Sequence, residues 1–391
     1  MTMKVLYCSP NKSHHYGYAR QLHEAGALHA FVSGFPRWGP AAALQPLGRK
    51  LVREDLLQTA YLGALRWGLP TSLSAEMGYH SKIRIDRACS QHSRGADLFL
   101  FYSGCGLETM AQVHEEGGRC LVEAVNCHPQ TQRGILGEEH RRLGLPPPYV
   151  HPEEFRRRLQ EYERADGILL PSGSVRESFL EHGFAADRLI RLPYRPRVPE
   201  GCPSSRNRMN NAPFRILYVG SIQPRKGVRY LIEAFASLPT RAKELWIVGA
   251  VGNPSGLEGM TIPEGVFFRG VLRGEELAQA YSSADVFCLP TLEEGMALVV
   301  GEALSHGLPV VTTANSGAAE LMTHGREGLI LQIRDSAGMK AAFSRMIDDP
   351  LWLGELSANA ASKGRELANR EMGGPELPGV LAGWLSGLGR P

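Results

Sequence analysis

No two of the seven cysteines are spaced as CxxC, and their number is odd. Cys8, Cys89, Cys105, Cys120, Cys127, Cys202 and Cys288 include several set inside apolar runs, so they read as reduced thiols, neither a disulfide scaffold nor a zinc site. No uninterrupted apolar stretch approaches the ~20 residues of a transmembrane helix. Neither sign of charge dominates, with 43 Lys and Arg against 40 Asp and Glu. The formal balance of +3 is too small to argue for a nucleic-acid surface. No G-x-G-x-x-G follows the first strand, and the order G-x-x-x-x-G-K-[ST] is absent, which speaks against a dinucleotide dehydrogenase and a P-loop. The opening MTMKVLYCSP enters a strand without a leader pattern, so a cytoplasmic protein, at most peripheral to a membrane, is expected.

What is present is an alternation of short apolar runs and helical segments over 391 residues, enough for two domains with separate cores. Lys4–Ser9, a polar loop and a helix from about Tyr18 form the first unit of a doubly wound sheet. Asp97–Tyr102 is a strand that ends at Ser103-Gly104-Cys105-Gly106. Those glycines do not frame Cys105 as a nucleophile elbow would, and a tight turn is expected. Leu47, Leu51, Leu62 and Leu65 recur at helical spacing. Glu54 and Asp55 lie among Lys50 and Arg53, which favours a helix on the domain over one on a membrane. Arg195–Pro213 is poor in apolar residues and reads as a linker, after which Phe214–Gly220 restarts the alternation. The expected division is 1–195, a linker at 196–213, a second domain at 214–370 and a final helix in 371–391.

Chemistry concentrates in a few strand-end loops. Asp285–Val311 compresses a strand, a loop, a helix from about Ala297 and another strand into one stretch. Glu294 and Glu302 are a little over two helical turns apart and can face one crevice, although a solvated pair on a helix face has the same spacing. Gly295 lacks a Cβ and permits close approach of a ligand to the backbone. Arg225 and Lys226 precede a helix and suit a diphosphate, or else are a basic surface turn. His128 follows the strand Arg119–Val125 and precedes a proline, where active-site or structural histidines both occur. His14 and His15 lie in the first loop; the plainer reading leaves them exposed, the sharper one sets them against an acceptor.

Glu294-Gly295, Glu302-Ala303 and Gly307-Leu308-Pro309-Val310-Val311 together resemble the donor-site signature of retaining glycosyltransferases of family 4, which have the GT-B fold: α/β, with two Rossmann-like doubly wound domains facing across a cleft. Lys226-Gly227, the string EYERADGILLPS and Ser316–Glu320 extend the resemblance. It implies a nucleotide-diphosphate sugar donor (UDP- or GDP-linked) and transfer to a small-molecule, glycan or lipid-linked acceptor. It further implies His128 and Glu294 at the donor sugar, and Glu302 on the ribose. Gly17, Arg225, Lys226 and Gly295-Met296-Ala297-Leu298-Val299 are expected around the phosphates. The chain departs from the family at Ser221, where an arginine is usual, and in the first loop, where Gly17 stands without the usual second glycine. The metal-dependent alternative fold uses a D-x-D pair; no two aspartates here are two apart, so neither metal nor cofactor is expected. A sugar-nucleotide epimerase or hydrolase of the same fold, and a noncatalytic nucleotide-sugar binding protein, remain as alternatives.

Overall fold

The computed structural model describes residues 3–38, 47–196, 212–239, 242–370 and 376–387. Most of the expected linker, and both flanks of the final helix, lie outside the described residues. Seven strands form the first sheet: β1 (Val5–Ser9), β2 (Leu28–Ser33), β3 (Leu51–Arg53), β4 (Leu98–Tyr102), β5 (Arg119–Glu123), β6 (Gly167–Leu170) and β7 (Leu189–Arg191). They lie in the order β3-β2-β1-β4-β5-β6-β7. The second sheet holds β8 (Phe214–Val219), β9 (Lys243–Val248), β10 (Val266–Gly270), β11 (Val286–Leu289), β12 (Val310–Thr313) and β13 (Gly328–Leu331), in the order β10-β9-β8-β11-β12-β13. Every pairing between these strands is parallel. Helices on both faces bury the central strands, which is why LFLF of β4 and VFCL of β11 are apolar without alternation. In both sheets the winding reverses beside the first strand, between β1 and β4 and between β8 and β11. Crevices for ligands open beyond the C-terminal strand ends at such points.

The region 36–80 departs from the expectation. Leu51 lies on β3, the sheet's edge strand, and the helices run Leu56–Arg66 and Thr71–Ser90. Leu47 is buried, whereas Leu62 and Leu65 face outward. The leucine spacing therefore crossed an element boundary, and its helical period was coincidental. Among the described residues no helix is long and apolar enough to cross a membrane.

The final helix, Leu377–Gly387, contacts the helix His15–Glu24 of the first half, and the Leu377 amide donates to Gln21 Oε1 at 3.1 Å. Elsewhere the two halves touch directly. Ser172 Oγ donates to the Gly295 carbonyl at 2.6 Å, and the Gly173 amide donates to Glu320 Oε1 at 2.8 Å. Glu139 accepts from the Tyr230 hydroxyl and, at 2.7 Å, from Arg334 Nε. Carboxylates of each half thus bind donors of the other, an arrangement that fixes orientation more than it adds stability.

Candidate functional site

Between the halves lies a cavity of about 370 Å³, within the range of small-molecule sites. The first half contributes Asn11, Ser13, His14, His15, Tyr102, Val125, Asn126 and Tyr194; the second contributes Val219, Gly220, Lys226 and the run Glu294–Val299. Lys226, Glu294, Gly295, Met296, Ala297, Leu298 and Val299 are thereby brought together on one wall. The loops that carry them leave β8 and β11, neighbours in the sheet, so residues nearly 70 apart in sequence converge.

Lys226 ends a short 3-10 turn, Pro224–Lys226, closed by Gly227 at φ 66°. A Cβ on Gly227 would meet the Pro290 carbonyl, so the left-handed conformation and the close approach both demand glycine. Lys226 Nζ contacts Glu294 Oε2, and Arg225 Nη1 donates to the same oxygen at 3.0 Å and to the Glu293 carbonyl at 2.8 Å. Burial lowers the Lys226 pKa, and Arg225 adds to that against the pull of Glu294. For Glu294 burial acts upward, but Arg225 and Lys226 outweigh it and hold the carboxyl below its ordinary value. Arg225 Nη1 also lies 3.8 Å from Glu293 Oε2, so two cations face two carboxylates, and the charge an arriving anion meets is that of Lys226 at the cavity wall.

The helix Leu298–Ser305 has no side-chain cap at Ala297. The Ala297 amide is taken by the Ser316 carbonyl at 2.9 Å, so the next amides mark the helix start that meets the cavity. Glu302 lies further along this helix, outside the cavity lining, and accepts from the Tyr281 hydroxyl at 3.1 Å.

Three expectations change. Gly295 lines the cavity as well, but what crowds its missing Cβ is main chain of the first half: a Cβ there would overlap the Val125 carbonyl. Gly17 lies inside the helix His15–Glu24, and a Cβ there would meet open space, so nothing near it requires glycine. His128 is absent from the cavity wall, where Asn126 stands instead. Its ring is packed with His182, Phe179 and Phe184, and its Nδ1 caps the helix Pro129–Arg142 by accepting from the Gln130 amide at 3.3 Å. The proline that marked His128 as interesting is the first residue of that helix.

His14 and His15 are not exposed. Both rings contact Glu123, the last residue of β5, which is itself buried. Burial and His15 lower the His14 pKa to about 4, and burial with His182 lowers that of His128 to about 4. Both lie below the ordinary 6.5, so the unfolded chain binds more protons between those values. Stability present above pH 6.5 is then lost as pH falls toward 4, by up to about 3 kcal/mol for each ring. Thermal melts from pH 7.5 to 4.5 are expected to show a falling Tm, less steep in a His128→Phe variant; equal slopes would exclude the His128 contribution.

Reading the sequence did not single out Glu293 or Glu123. Glu293 is buried and accepts from the Cys127 amide at 3.1 Å and from Gln132 Nε2 at 2.9 Å, stitching the Glu294 loop to the first half. A carboxylate closing an otherwise apolar strand was the available signal for Glu123.

Residues 213–349 match the family described as Glycosyl transferases group 1. Over 366 residues the chain is 28% identical to a D-inositol 3-phosphate glycosyltransferase of Thermomonospora curvata, covering 88% of this chain and 73% of that protein. Among solved structures, sucrose-phosphate synthase from Thermosynechococcus elongatus superposes with a TM-score of 0.67 at 19% identity, covering 98% of both chains. HepE from Anabaena, in complex with UDP and glucose, gives a TM-score of 0.60 at 14% identity over 95% of this chain and 98% of that one. These last two likenesses show the fold.

Proposed function

We propose that this chain, whose residues 213–349 match the glycosyl transferases group 1, is a glycosyltransferase that moves a sugar, with retention at the anomeric carbon, from a UDP- or GDP-linked donor held at the Lys226–Glu294 wall. The observation that carries this is the convergence of Lys226, its partner Glu294 and a helix start on one cavity between the halves. The bond from the sugar to the diphosphate breaks with charge building on the departing oxygen. Lys226 and the amides at Leu298 and Val299 stabilise that charge, an effect that strengthens from ground state to transition state. No metal is needed in this reading. Arg225 holds Glu294 and takes the electrostatic part of the arginine replaced by Ser221.

Glu294 also borders a second cleft of about 350 Å³ that includes Cys127, Ser174 and Asn315. A donor sugar lying at the seam of the two cavities would present its hydroxyls to that carboxylate. Glu302 would accept from the ribose hydroxyls, and the stretch Phe268–Val271 would offer main-chain contacts to the base. The D-inositol 3-phosphate named for the bacterial relative is one acceptor to try. The proposed division of labour puts the acceptor on residues 1–195 and the donor on 214–370, in a cytoplasmic enzyme at most peripheral to a membrane.

The test is a thermal-shift screen of UDP-, GDP- and ADP-sugars, since a ligand that binds the folded state raises Tm. One nucleotide class is expected to stabilise the protein, and Glu302→Ala to weaken its binding about thirtyfold, the loss of about 2 kcal/mol from a charged hydrogen bond. No shift with any of them would refute the reading. Rapid sugar release or epimer formation from donor alone would favour the epimerase or hydrolase alternative.

A further inference from the structure

We propose that the helix Pro129–Arg142 of the first half is a brace that sets the distance between the two donor loops of the second, with Gln132 and Glu139 as its positioning residues. The inference rests on the transferase reading above and adds to it the groups that hold Lys226 and Glu294 in place. Gln132 and Glu139 are seven positions apart, almost two turns, so they share one face and lie about 10 Å apart along the axis. At the first of them, Gln132 Nε2 donates to Glu293 Oε2 at 2.9 Å, on the residue next to Glu294. At the second, the Tyr230 hydroxyl donates to the Glu139 oxygens at 2.9 and 3.0 Å. Tyr230 lies in the first turn of the helix Val228–Ala236, and its amide donates to the Gly227 carbonyl at 3.0 Å. Glu139 thereby grips the turn that carries Lys226.

The brace is anchored at its start in the first half. His128 caps it from an aromatic nest, and the His128 amide donates to Ser178 Oγ at 2.9 Å. Towards its far end the second half holds it. Arg334 Nε donates to Glu139 Oε2 at 2.7 Å and Nη2 to the Ile135 carbonyl at 3.3 Å, while Nη1 lies 3.4 Å from Glu138 Oε2. Arg334 stands in the loop after β13 at φ 65°, a region that favours glycine, and backbone held so clusters at functional positions. Glu139 is 1% exposed. Burial, with Glu139 beside it, raises the Tyr230 pKa, so the phenol stays a donor. A buried carboxylate carries a desolvation cost that an apolar contact avoids; what it secures is a fixed direction and length.

The donor therefore meets a wall whose two loops belong to one half and whose spacing is set by the other. Lys226 faces the departing diphosphate, and Glu294 faces the sugar. Free nucleotide needs Lys226, the Leu298 and Val299 amides and Glu302, all of them in the second half. Bond breaking needs in addition that diphosphate and sugar be held at the right separation, where an ångström of misplacement costs on the order of 100-fold in rate. Loosening the brace acts on turnover and spares nucleotide binding. Gln132, Glu139 and Tyr230 touch no reacting atom in this arrangement; they act through Glu293, Glu294 and Lys226.

The test measures UDP affinity and binding stoichiometry by calorimetry, and the rate of UDP release from saturating UDP-glucose, with water and with D-inositol 3-phosphate as acceptors. GDP- and ADP-sugars replace UDP-glucose if the wild type prefers them. Glu139→Gln and Tyr230→Phe are each expected to lower kcat by about tenfold to 100-fold, with nucleotide affinity within about threefold of the wild type. The double variant is expected to lose no more than the worse single one, because both changes break one contact. Gln132→Ala, at the other end of the brace, is expected to lower kcat in the same way. If Glu139→Gln fails to fold, Tyr230→Phe decides alone, since it removes a single hydroxyl. Wild-type kcat in Tyr230→Phe or in Gln132→Ala, with nucleotide still bound, would overturn the proposal. So would a lowered binding stoichiometry with an unchanged rate per bound nucleotide, the mark of contacts that serve folding alone. Failure of the wild type to bind any nucleotide, or to release it from any of these donors, would instead overturn the transferase reading.

Discussion

Lys226→Ala is expected to lower kcat by about 100- to 1000-fold, the loss that follows removal of one preorganised group from a developing negative charge. Nucleotide affinity should fall as well, but by less, because the diphosphate already carries charge in the ground state and gains more in the transition state. The surroundings sharpen the expectation. Lys226 is buried beside Arg225 and Glu294, so its loss leaves Glu294 with Arg225 alone and removes the cation that lines the cavity. Lys226→Arg is not a conservative control, since a planar fork cannot occupy the position of a compact ammonium in a turn closed by Gly227. Steady-state kinetics with calorimetric binding of the free nucleotide separates the two effects. Equal small losses in both would mean that the lysine only binds.

Gly295→Ala is expected to be as damaging, by another route. The added methyl has nowhere to go: it overlaps the Val125 carbonyl, and Pro171 lies 3.3 Å from the same point. Main chain cannot yield as a flexible side chain does, so the Glu294 loop must part from the first half. That separation also strains the Ser172–Gly295 hydrogen bond and the contacts of Glu293 with Cys127 and Gln132. Displacing catalytic groups by an ångström costs on the order of 100-fold in rate, and overpacking adds about 1–3 kcal/mol of destabilisation. Activity and Tm are therefore expected to fall together. A variant with normal kinetics would show that the halves need not meet here during turnover.

The donor wall was legible in the sequence because its parts are local. Lys226 sits at the end of one strand-end loop, Glu294–Val299 at the end of another, and parallel sheets place such loops side by side. Side-chain direction was not legible. His128 sits on a strand-end loop as expected, yet Phe179 and Phe184 from a later segment give its ring an aromatic nest away from the cavity. His14 and His15 belong to a polar loop and carried no mark of burial; the carboxylate that draws them in is more than 100 residues away, at the end of β5. Gly295 was recognised as a close-approach glycine, but sequence does not say what approaches. The leucine period in 36–80 failed for a related reason, since spacing alone does not reveal that Leu51 belongs to an edge strand.

The most direct measurement is a crystal structure of the protein grown with UDP, or with whichever nucleotide raises Tm. The diphosphate should lie within about 3 Å of Lys226 Nζ and of the Leu298 and Val299 amides, with Glu302 on the ribose and His14 facing the vacant acceptor side. Nucleotide density beside His128 and His182, or on any surface away from the helix start at Leu298, would contradict the account.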